Sequence, residues 1–247
     1  MIDSIARRVI ASAFARMGPS LREQAARLVE RDYEAITYRR LAALGYRPAA
    51  IIDVGAYRGN WTLAARRIFG PVPALMVEGQ EALIANLQRV AGENRDIAVA
   101  HAVLGARDGV PVQFFEMGTG SSVFPETSDA PRTASQAITR RLDDVVGQWR
   151  SGVSNAFLKI DVQGAELEVL AGGGGVLGGC SLVQLELAML AYNEGAPLLP
   201  QVVEWMAGQG WLPTEISGFS RPRDRLVQVD MLFAPRDSAL RPTRFHF

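Results

Sequence analysis

The residues of this chain with the clearest chemistry lie in the stretch IIDVGAYRGN at positions 51–60. Its apolar first half is typical of a strand buried on both faces, and the glycines then turn the chain into an amphipathic helix. A strand, a tight turn and a helix N-terminus place free backbone N–H groups and a positive dipole end at one spot. Because open α/β sheets bind ligands at such spots, we predict a cofactor site here. The residues expected around it are Asp53, Gly55, Ala56, Tyr57, Gly59, Asn60, Trp61 and Thr62.

The residue between the two glycines narrows the choice of cofactor. A dinucleotide fingerprint needs G-x-G-x-x-G, because its second glycine lets the backbone approach the pyrophosphate. Tyr57 stands at that position, and its side chain would obstruct the approach. The pattern D-x-G-x-x-x-G suits the amino-acid end of S-adenosylmethionine. The carboxylate of that ligand can meet the helix N-terminus, while Asp53 accepts a hydrogen bond from its ammonium, directly or through water. A nicotinamide-dependent oxidoreductase on the same sheet is the alternative.

The next two apolar runs predict strands at 74–77 and 97–100, and a polar residue follows each of them. Glu78 would stand at the tip of the second strand, where an acidic residue can bind both ribose hydroxyls of a nucleoside. Its alternative role is that of an ordinary surface carboxylate. His101 ends the third strand and could act as a general base near neutral pH. A single histidine at a strand end is more often structural, so catalysis by His101 is the lesser hypothesis.

A second group of polar residues lies on three later apolar strands, predicted around 157–162, 182–187 and 227–233. Period-two geometry puts Lys159 and Asp161 on one face of the first strand, and Glu186 and Asp230 interrupt the other two. A lysine within a buried strand is costly unless it is paired. The carboxylates could merely neutralise Lys159. Since a charged cluster at the carboxyl ends of parallel strands would lie beside the cofactor, we favour a functional role.

Composition limits the class of protein. The 247 residues carry 26 Lys and Arg against 26 Asp and Glu, so the formal net charge is zero and does not favour binding to nucleic acid. The single cysteine, Cys180, allows no disulfide framework within the chain and is consistent with a reducing, cytoplasmic compartment. Two separated histidines and one cysteine suggest no zinc cluster, and no apolar run reaches the roughly 18 residues of a membrane span. We expect a soluble α/β protein.

The chain is expected to divide into an N-terminal helical extension at 1–46, a main domain at 47–236 and a short tail at 237–247. Apolar spacing predicts one helix over residues 2–17 and a second from Ser20 toward Leu44. These helices are expected to pack on the core or on a second copy of the chain in a homo-oligomer. Lying on a membrane surface is the alternative.

Two segments of the main domain depart from a regular strand–helix alternation. Residues 110–141 have no helical period and predict an inserted β-hairpin, with strands at 110–116 and 134–141. The polar loop between them is either a lid with Ser121 and Ser122 facing substrate or a plain surface loop. The glycines at 172–175 and 178–179 lack the Lys-Ser/Thr of a phosphate-binding loop and predict a tight helix-to-strand connection. Cys180 after them is expected to be buried and unreactive.

Taken together, these stretches resemble the FkbM family of S-adenosylmethionine-dependent methyltransferases. The resemblance rests on IIDVGAYRGNWTLAARR, MVEGQEALIANL, AVLGARDG, RLDDV, LKIDVQGAELEVLAG, VQLEL and VQVDMLF, in family order from about residue 49 to 234. It implies a class I methyltransferase fold, Rossmann-like, with a mainly parallel seven-strand sheet and helices on both faces. It also implies methylation of hydroxyl groups on natural products or glycans, with the adenine beside Val103. Two residues depart from the family pattern, because Gln163 replaces the usual Glu and Val103 the usual Ala.

The reaction expected from this resemblance is in-line transfer of a sulfonium methyl group to the hydroxyl of a small molecule or glycan in a dry cleft. Asp161 is the first candidate to orient or deprotonate that hydroxyl, with Lys159 and Glu186 setting its charge state. The absence of a carboxylate at Gln163 leaves the identity of the base open. No metal is expected, although the oxygen ligands of Asp161, Glu186 or Asp230 would suit Mg²⁺. A non-catalytic binding module with the same fold is the remaining alternative.

Overall fold

The computed structural model describes residues 4–241, and within them the central feature is a sheet of seven strands. The strands, in chain order, are β1 (Ala50–Val54), β2 (Ala74–Glu78), β3 (Ile97–His101), β4 (Val103–Leu104), β5 (Pro111–Glu116), β6 (Thr133–Arg140), β7 (Ala156–Ile160), β8 (Cys180–Ala188), β9 (Trp211–Ser220) and β10 (Gln228–Pro235). The large sheet runs β3-β2-β1-β7-β8-β10-β9 in space. Within it, β10 is antiparallel to β8 and β9, and the other neighbours are parallel. The mainly parallel seven-strand sheet expected from the sequence is therefore confirmed.

Helices cover both faces of this sheet. The helices of the described residues, in chain order, are α1 (Ser4–Arg16), α2 (Pro19–Arg31), α3 (Tyr33–Ala43), α4 (Asn60–Phe69), α5 (Glu81–Glu93), α6 (Leu142–Trp149), α7 (Glu166–Ala171), α8 (Gly174–Gly179) and α9 (Leu199–Gly208). On one face, Tyr38 of α3 and Phe69 of α4 pack with Phe157 of β7. On the other, Leu142 of α6 and Met206 of α9 belong to a second buried layer. Because β1, β2 and β7 are buried at every position, their sequences are continuous apolar runs rather than alternating ones.

Between residues 4 and 46 the chain forms three helices, rather than the two that its apolar spacing predicts. Helix α2 begins at Pro19, whose fixed φ suits the first helical position, and not after a cap at Ser20. The chain then leaves helical geometry at Asp32, between α2 and α3. Helix α2 buries none of its side chains, whereas α3 buries Tyr38 and Leu41 against the sheet. The break at Asp32 thus separates an exposed helix from one that belongs to the core.

The inserted hairpin expected from the sequence is present, and its two strands, β5 and β6, are paired with each other. Their antiparallel register runs from Pro111 opposite Ile138 to Glu116 opposite Thr133. Strand β6 also pairs in parallel with β4, so that residues 103–140, all of them described, contain a separate three-strand sheet. The loop after β5 folds back on that strand through a bridge between Phe115 and Ser122.

The glycine-rich segment at 172–179 contains the short helix α8, where a plain connection was expected. Close packing accounts for two of its glycines. A Cβ on Gly172 would lie 2.2 Å from the Gly105 carbonyl oxygen, and one on Gly179 would lie 2.1 Å from that of Val153. Cys180, which follows, is buried as predicted, and burial raises the pKa of its thiol to about 12. This cysteine is therefore a packed thiol and not a nucleophile at neutral pH.

The two ends of the chain are described only in part. Residues 1–3 and 242–247 lie outside the described residues, and so do the corresponding parts of the predicted first helix and tail. Over residues 4–241, no helix is long and apolar enough to cross a membrane.

Candidate functional site

A cleft of about 670 Å³ opens at the carboxyl ends of β1, β2 and β7. We call it the first cleft. The loop after β5 forms part of its wall, so the insertion covers the ends of the central strands. Among the residues predicted to bind a cofactor, those that line the first cleft are Gly55, Tyr57, Glu78, Val103 and Asp161.

Gly55 allows β1 and β7 to come together at the floor of this cleft. Its φ is +79°, a left-handed conformation that side chains with a Cβ rarely adopt. A Cβ at this position would lie 1.8 Å from the carbonyl oxygen of Asp161. The glycine is thus required by the close approach of a neighbouring strand end, in addition to the turn itself.

The backbone N–H groups of the turn after β1 are largely used within the protein. Gly55 and Ala56 both donate to the carbonyl of Val77, at 2.9 and 3.1 Å, and Tyr57 donates to a carboxylate at the end of β2. The prediction that this turn offers free N–H groups is therefore wrong, because they continue the hydrogen bonding between two adjacent parallel strands. The first turn of α4, which begins at Asn60, still presents N–H groups without intrahelical partners.

Glu78 is held in a fixed orientation at the end of β2, with only 5% of its surface exposed. Its Oε2 accepts the Tyr57 N–H at 2.7 Å, and its Oε1 accepts the Gln80 N–H at 2.8 Å. The side-chain amide of Gln80 also donates to the Gly118 carbonyl at 3.0 Å, which ties the insertion to the same place. Oε1 also accepts the side-chain amide of Gln80 at 3.3 Å, so Oε2 is the oxygen with capacity for a further hydrogen bond. The arrangement therefore fits a ribose hydroxyl.

An apolar wall stands beside Glu78 in the first cleft. Val103, Leu104 and Phe114 form it, and Phe114 is buried against Gly79. A flat apolar surface next to a carboxylate is suited to an adenine ring attached to its ribose. These residues therefore fit the nucleoside part of S-adenosylmethionine.

Behind the first cleft, a row of polar side chains crosses the sheet on the face covered by α3 and α4. Asp53 on β1 pairs in register with Lys159 on β7, which pairs with Gln184 on β8. The Nζ atom of Lys159 lies 3.0 Å from Asp161 Oδ2 and 3.9 Å from Asp53 Oδ1. Burial alone would lower the pKa of Lys159, but the two carboxylates outweigh it and hold this pKa above its usual value. Lys159 is therefore a buried ammonium that two carboxylates neutralise.

Asp53 is fully buried and keeps one oxygen without a donor. The hydroxyl of Thr62 donates to its Oδ2 at 2.6 Å, whereas Oδ1 has no hydrogen-bond partner among the described residues. Burial raises the pKa of Asp53 to about 6, and the charge of Lys159 limits the rise. A buried acceptor without a donor costs free energy, and the Lys159 Nζ atom is 3.9 Å away, so Oδ1 has capacity for a water that bridges to the ammonium group of a ligand. This fits the methionine end of the same ligand.

Asp161 and Glu186 form a coupled pair of carboxyl groups that Gln163 bridges. The Nε2 of Gln163 donates to Asp161 Oδ1 at 3.2 Å and to Glu186 Oε2. Although burial opposes ionisation, Lys159 holds the pKa of Asp161 below its usual value. Burial and the neighbouring Asp161 charge raise the pKa of Glu186 well above its usual value. The two carboxyl groups therefore titrate together, and Asp161 ionises more readily than Glu186. Across residues 4–241, no three His, Cys, Asp or Glu side chains are grouped to hold a metal ion.

A second cavity, of about 850 Å³ and open to solvent, lies on the other side of Asp161. Asp161 and Thr119 line both this cavity and the first cleft, so the two spaces meet at these residues. Gln228 donates to the Tyr192 hydroxyl at 2.6 Å, so this hydroxyl can still donate its own proton into the cavity. The other polar side chains around the second cavity are Glu126, Gln163 and Glu186.

The remaining residues predicted to bind a cofactor lie behind the first cleft rather than on its wall. They are Asp53, Ala56, Gly59, Asn60, Trp61 and Thr62. Packing explains Gly59, since a Cβ there would lie 2.9 Å from the sulfur of Met76. Trp61 instead directs its indole N–H to Glu34 on α3. These positions support the cleft, and a ligand would reach them only at its inner end.

His101 does not take part in either space. Its ring is exposed at the end of β3, where Nε2 lies 3.0 Å from the Gly79 carbonyl oxygen. The first cleft and the second cavity are lined by other residues. The structure gives no support to the hypothesis that His101 is a general base.

Three polar residues near the site were not predicted from the sequence. Gln228 lies two positions before Asp230 on the same strand face, so the period-two pattern could have identified it. Tyr192 lies in a loop, where no periodicity applies. Glu34 contacts Gln184 across 150 positions of sequence, and no local pattern carries such information.

Comparison with solved structures finds methyltransferases. Magnesium protoporphyrin IX methyltransferase (ChlM) from Synechocystis PCC 6803, with bound SAM, is 10% identical over 85% of this chain and 81% of that chain, with a TM-score of 0.50. The 1,6-didemethyltoxoflavin-N1-methyltransferase of Burkholderia thailandensis is 14% identical over 95% of this chain and 88% of that chain, with a TM-score of 0.46. At 10% identity, the likeness to ChlM shows the class I methyltransferase fold alone. No curated protein matches the chain.

A family profile described as "Methyltransferase FkbM domain" matches residues 53–212. The matched region contains both glycine turns and the Lys159–Asp161 pair. It excludes helices α1 to α3 at one end and strand β10 at the other.

Proposed function

Because the chain belongs to the FkbM methyltransferase family, we propose that it methylates a hydroxyl group of a small-molecule natural product or glycan. The family makes it a methyltransferase that uses S-adenosylmethionine, and oxygen as the methyl acceptor is our proposal. S-adenosylmethionine supplies an electrophilic methyl group when bound. The family also disfavours the nicotinamide-dependent alternative, in agreement with the side chain of Tyr57 in the glycine turn.

The observation that carries this proposal is the position of Asp161 between the first cleft and the second cavity. In the first cleft, Glu78 and the apolar wall fit the nucleoside, and Asp53 behind it fits the ammonium of the methionine end. The second cavity is polar and open to solvent, as a site for a hydroxylated acceptor needs to be. An acceptor hydroxyl bound to Asp161 would therefore stand where the two spaces meet.

Each charged residue then has a distinct task. The ionised carboxylate of Asp161 accepts a hydrogen bond from the acceptor hydroxyl and orients its oxygen toward the first cleft. Because its pKa is lowered, Asp161 is a weak base, and orientation is its main contribution. As the acceptor oxygen takes the methyl group, its proton passes to Asp161 and on to solvent through the second cavity. Lys159 holds Asp161 in place, and Glu186, whose pKa is raised by burial and by the charge of Asp161, ionises less readily than Asp161.

The proposal is tested by replacing Asp161 with Asn. We expect Asp161→Asn to lower turnover by about 100-fold, because the amide no longer orients the acceptor hydroxyl as a carboxylate does and cannot take up its proton, while the Kd of S-adenosylhomocysteine stays within about threefold. Turnover is measured with radiolabelled S-adenosylmethionine on a panel of natural-product and glycan hydroxyls, and the Kd by calorimetry. Asp129→Asn, at an exposed position of the insertion, is the matched control.

Three outcomes would contradict the proposal in different ways. Unaltered turnover of Asp161→Asn would remove Asp161 from the reaction. Methyl transfer to nitrogen or carbon but never to oxygen would overturn the choice of acceptor. Tight binding of S-adenosylhomocysteine without transfer to any acceptor of the panel would favour the non-catalytic binding module.

A further inference from the structure

A hydrogen-bonded network around Glu34 ties helix α3 to the sheet. The Oε1 atom of Glu34 accepts the indole N–H of Trp61 on α4 at 2.9 Å and the amide of Gln184 on β8 at 2.8 Å. Tyr38, one turn farther along α3, also accepts from Trp61 at 2.9 Å, and it donates its single proton either to Glu34 or to Gln184. We call these four residues the Glu34 network. Three elements that are distant in sequence thus meet at one carboxylate.

Two members of the Glu34 network are also neighbours of Lys159. The Trp61 ring centroid lies 5.5 Å from Lys159 Nζ, within the range of a cation–π interaction. Gln184 is the register partner of Lys159 on the adjacent strand β8. The indole of Trp61 therefore contacts the buried ammonium with its ring and Glu34 with its N–H group. The hydrogen bond to Glu34 thus fixes the orientation of the ring toward Lys159.

We propose that Glu34 is a positioning residue of this methyltransferase, which holds the Lys159 ammonium against Asp161 and Asp53 by fixing Trp61 and Gln184. The inference rests on the proposed roles of those two carboxylates. Under this proposal, α3 contributes a residue to the site, although the family match begins only at residue 53. A helix that merely covered the sheet would need the apolar contacts of α3 and no carboxylate at this position.

The charge of Glu34 reaches the same site. The polar groups that act on Asp53 are Lys159 on β7, Asp161 directly after β7, Thr62 on α4 and Glu34 on α3. Burial is the main reason that the pKa of Asp53 is raised, and the charges of Asp161 and Glu34 add to it. Removing the charge of Glu34 should therefore lower the pKa of Asp53. The affinity for a ligand whose ammonium pairs with ionised Asp53 would then persist to lower pH.

Two substitutions separate the geometric and the electrostatic effects of Glu34. Glu34→Gln keeps an acceptor oxygen and the size of the side chain but removes the charge, whereas Glu34→Ala removes the acceptor from Trp61 and Gln184. Glu30→Gln, at an exposed position of α2, is the matched control. S-adenosylhomocysteine binding is measured by calorimetry from pH 5 to 8.5. The ¹⁹F resonance of Trp61 is followed in protein labelled with 5-fluorotryptophan and is assigned with Trp61→Phe.

We expect Glu34→Ala to raise the Kd of S-adenosylhomocysteine about tenfold, because Trp61 and Gln184 lose the acceptor that fixes them beside Lys159, and to shift the Trp61 resonance. Glu34→Gln should change the Kd at pH 8 by less than about threefold. It should also move the acid limb of the binding profile, which is the fall in affinity as Asp53 becomes protonated, to lower pH. Loss of fold alone would not move this limb downward, and thermal unfolding of each variant shows whether the fold persists.

The inference is overturned if both Glu34 variants match the wild-type protein in affinity, acid limb and Trp61 resonance. A wild-type profile without an acid limb would instead contradict the proposed role of Asp53. In that case the Trp61 resonance and the affinity of Glu34→Ala still decide whether Glu34 positions the site.

Discussion

At the scale of single residues, Gln163 explains how two carboxyl groups are kept side by side. Its amide donates to both Asp161 and Glu186. The FkbM resemblance leads one to expect Glu at this position, and a third carboxylate would face two others with no proton to share. With Gln as the donor, an amide separates the two carboxyl groups, and Asp161 keeps a pKa below its usual value. The departure from the family pattern is thus compatible with a working carboxylate at Asp161.

Glu78 provides the first prediction at this scale. Both of its oxygens accept backbone N–H groups, from Tyr57 and Gln80, so Glu78→Gln must turn its amide toward one of those donors. Hydrogen bonds to a charged group contribute about 1.5–3 kcal/mol, so we expect the Kd of S-adenosylhomocysteine to rise about 10- to 100-fold in calorimetry. Glu81→Gln, exposed at the start of α5, should leave it unchanged. Equal affinities for the two variants would exclude Glu78 from ribose binding.

At the scale of elements, the site depends on how closely the ends of β1 and β7 approach. The two strands are paired in register from Ala50 with Ala156 to Val54 with Ile160, and the chain then turns away at Gly55 on one side and Asp161 on the other. Helix α3 packs over the same end of the sheet through the Glu34 network. Whether α1 and α2 pair two copies of the chain stays a prediction.

Gly55→Ala tests this close approach. The added Cβ would meet the Asp161 carbonyl oxygen and force a left-handed conformation on alanine, at a cost of about 1–2 kcal/mol for the backbone and 1–3 kcal/mol for overpacking. We expect a loss of about 2–5 kcal/mol in the free energy of unfolding by urea. S-adenosylhomocysteine binding should disappear as well. Gly147→Ala, with open space around it in α6, should be neutral or stabilise by up to about 1 kcal/mol. A Gly55→Ala protein as stable as this control would refute the strand contact.

At the scale of the whole molecule, the carboxyl edge of the sheet concentrates buried acids. Burial raises the pKa of Asp53 to about 6 and those of Glu166 and Asp230 to about 7. An acid whose pKa is raised on folding keeps its proton in the folded protein at pH values where the unfolded chain has lost it. Its contribution to stability is complete below the unfolded pKa and is lost as pH rises through the folded pKa. We therefore expect the ligand-free protein to be more stable at pH 5 than at pH 8.

Glu166 isolates one part of this pH dependence. Its buried carboxyl group accepts the N–H groups of Val162 and Gly164, and its pKa rises from 4.5 to about 7. Between pH 5 and pH 8 this group should account for a loss of about 2–3 kcal/mol. Glu166→Gln, which cannot ionise, should reduce the difference in unfolding free energy between those pH values by that amount. Glu168→Gln, exposed in the same helix, should not. A slope that Glu166→Gln leaves unchanged would show that this carboxyl is not the titrating group.

The sequence by itself determined the elements of this protein and the faces of its strands. Side chains alternate strictly along a strand, so the order Lys159, Ile160, Asp161 was enough to predict that the lysine and the aspartate share a face, and the structure places them 3.0 Å apart. The glycine turn after β1 and the family resemblance were likewise readable, because they depend on residues that are adjacent in the chain.

Only the tertiary structure decided how these elements meet. Whether the N–H groups of Gly55 and Ala56 were free depended on the carbonyl of Val77 in the next strand. Glu34 reached Gln184 only because α3 packs over β8, 150 positions away. The insertion lines the spaces on both sides of Asp161, and the start of β10 borders the second cavity. Such contacts depend on the packing of layers, and sequence periodicity carries no information about which layers meet.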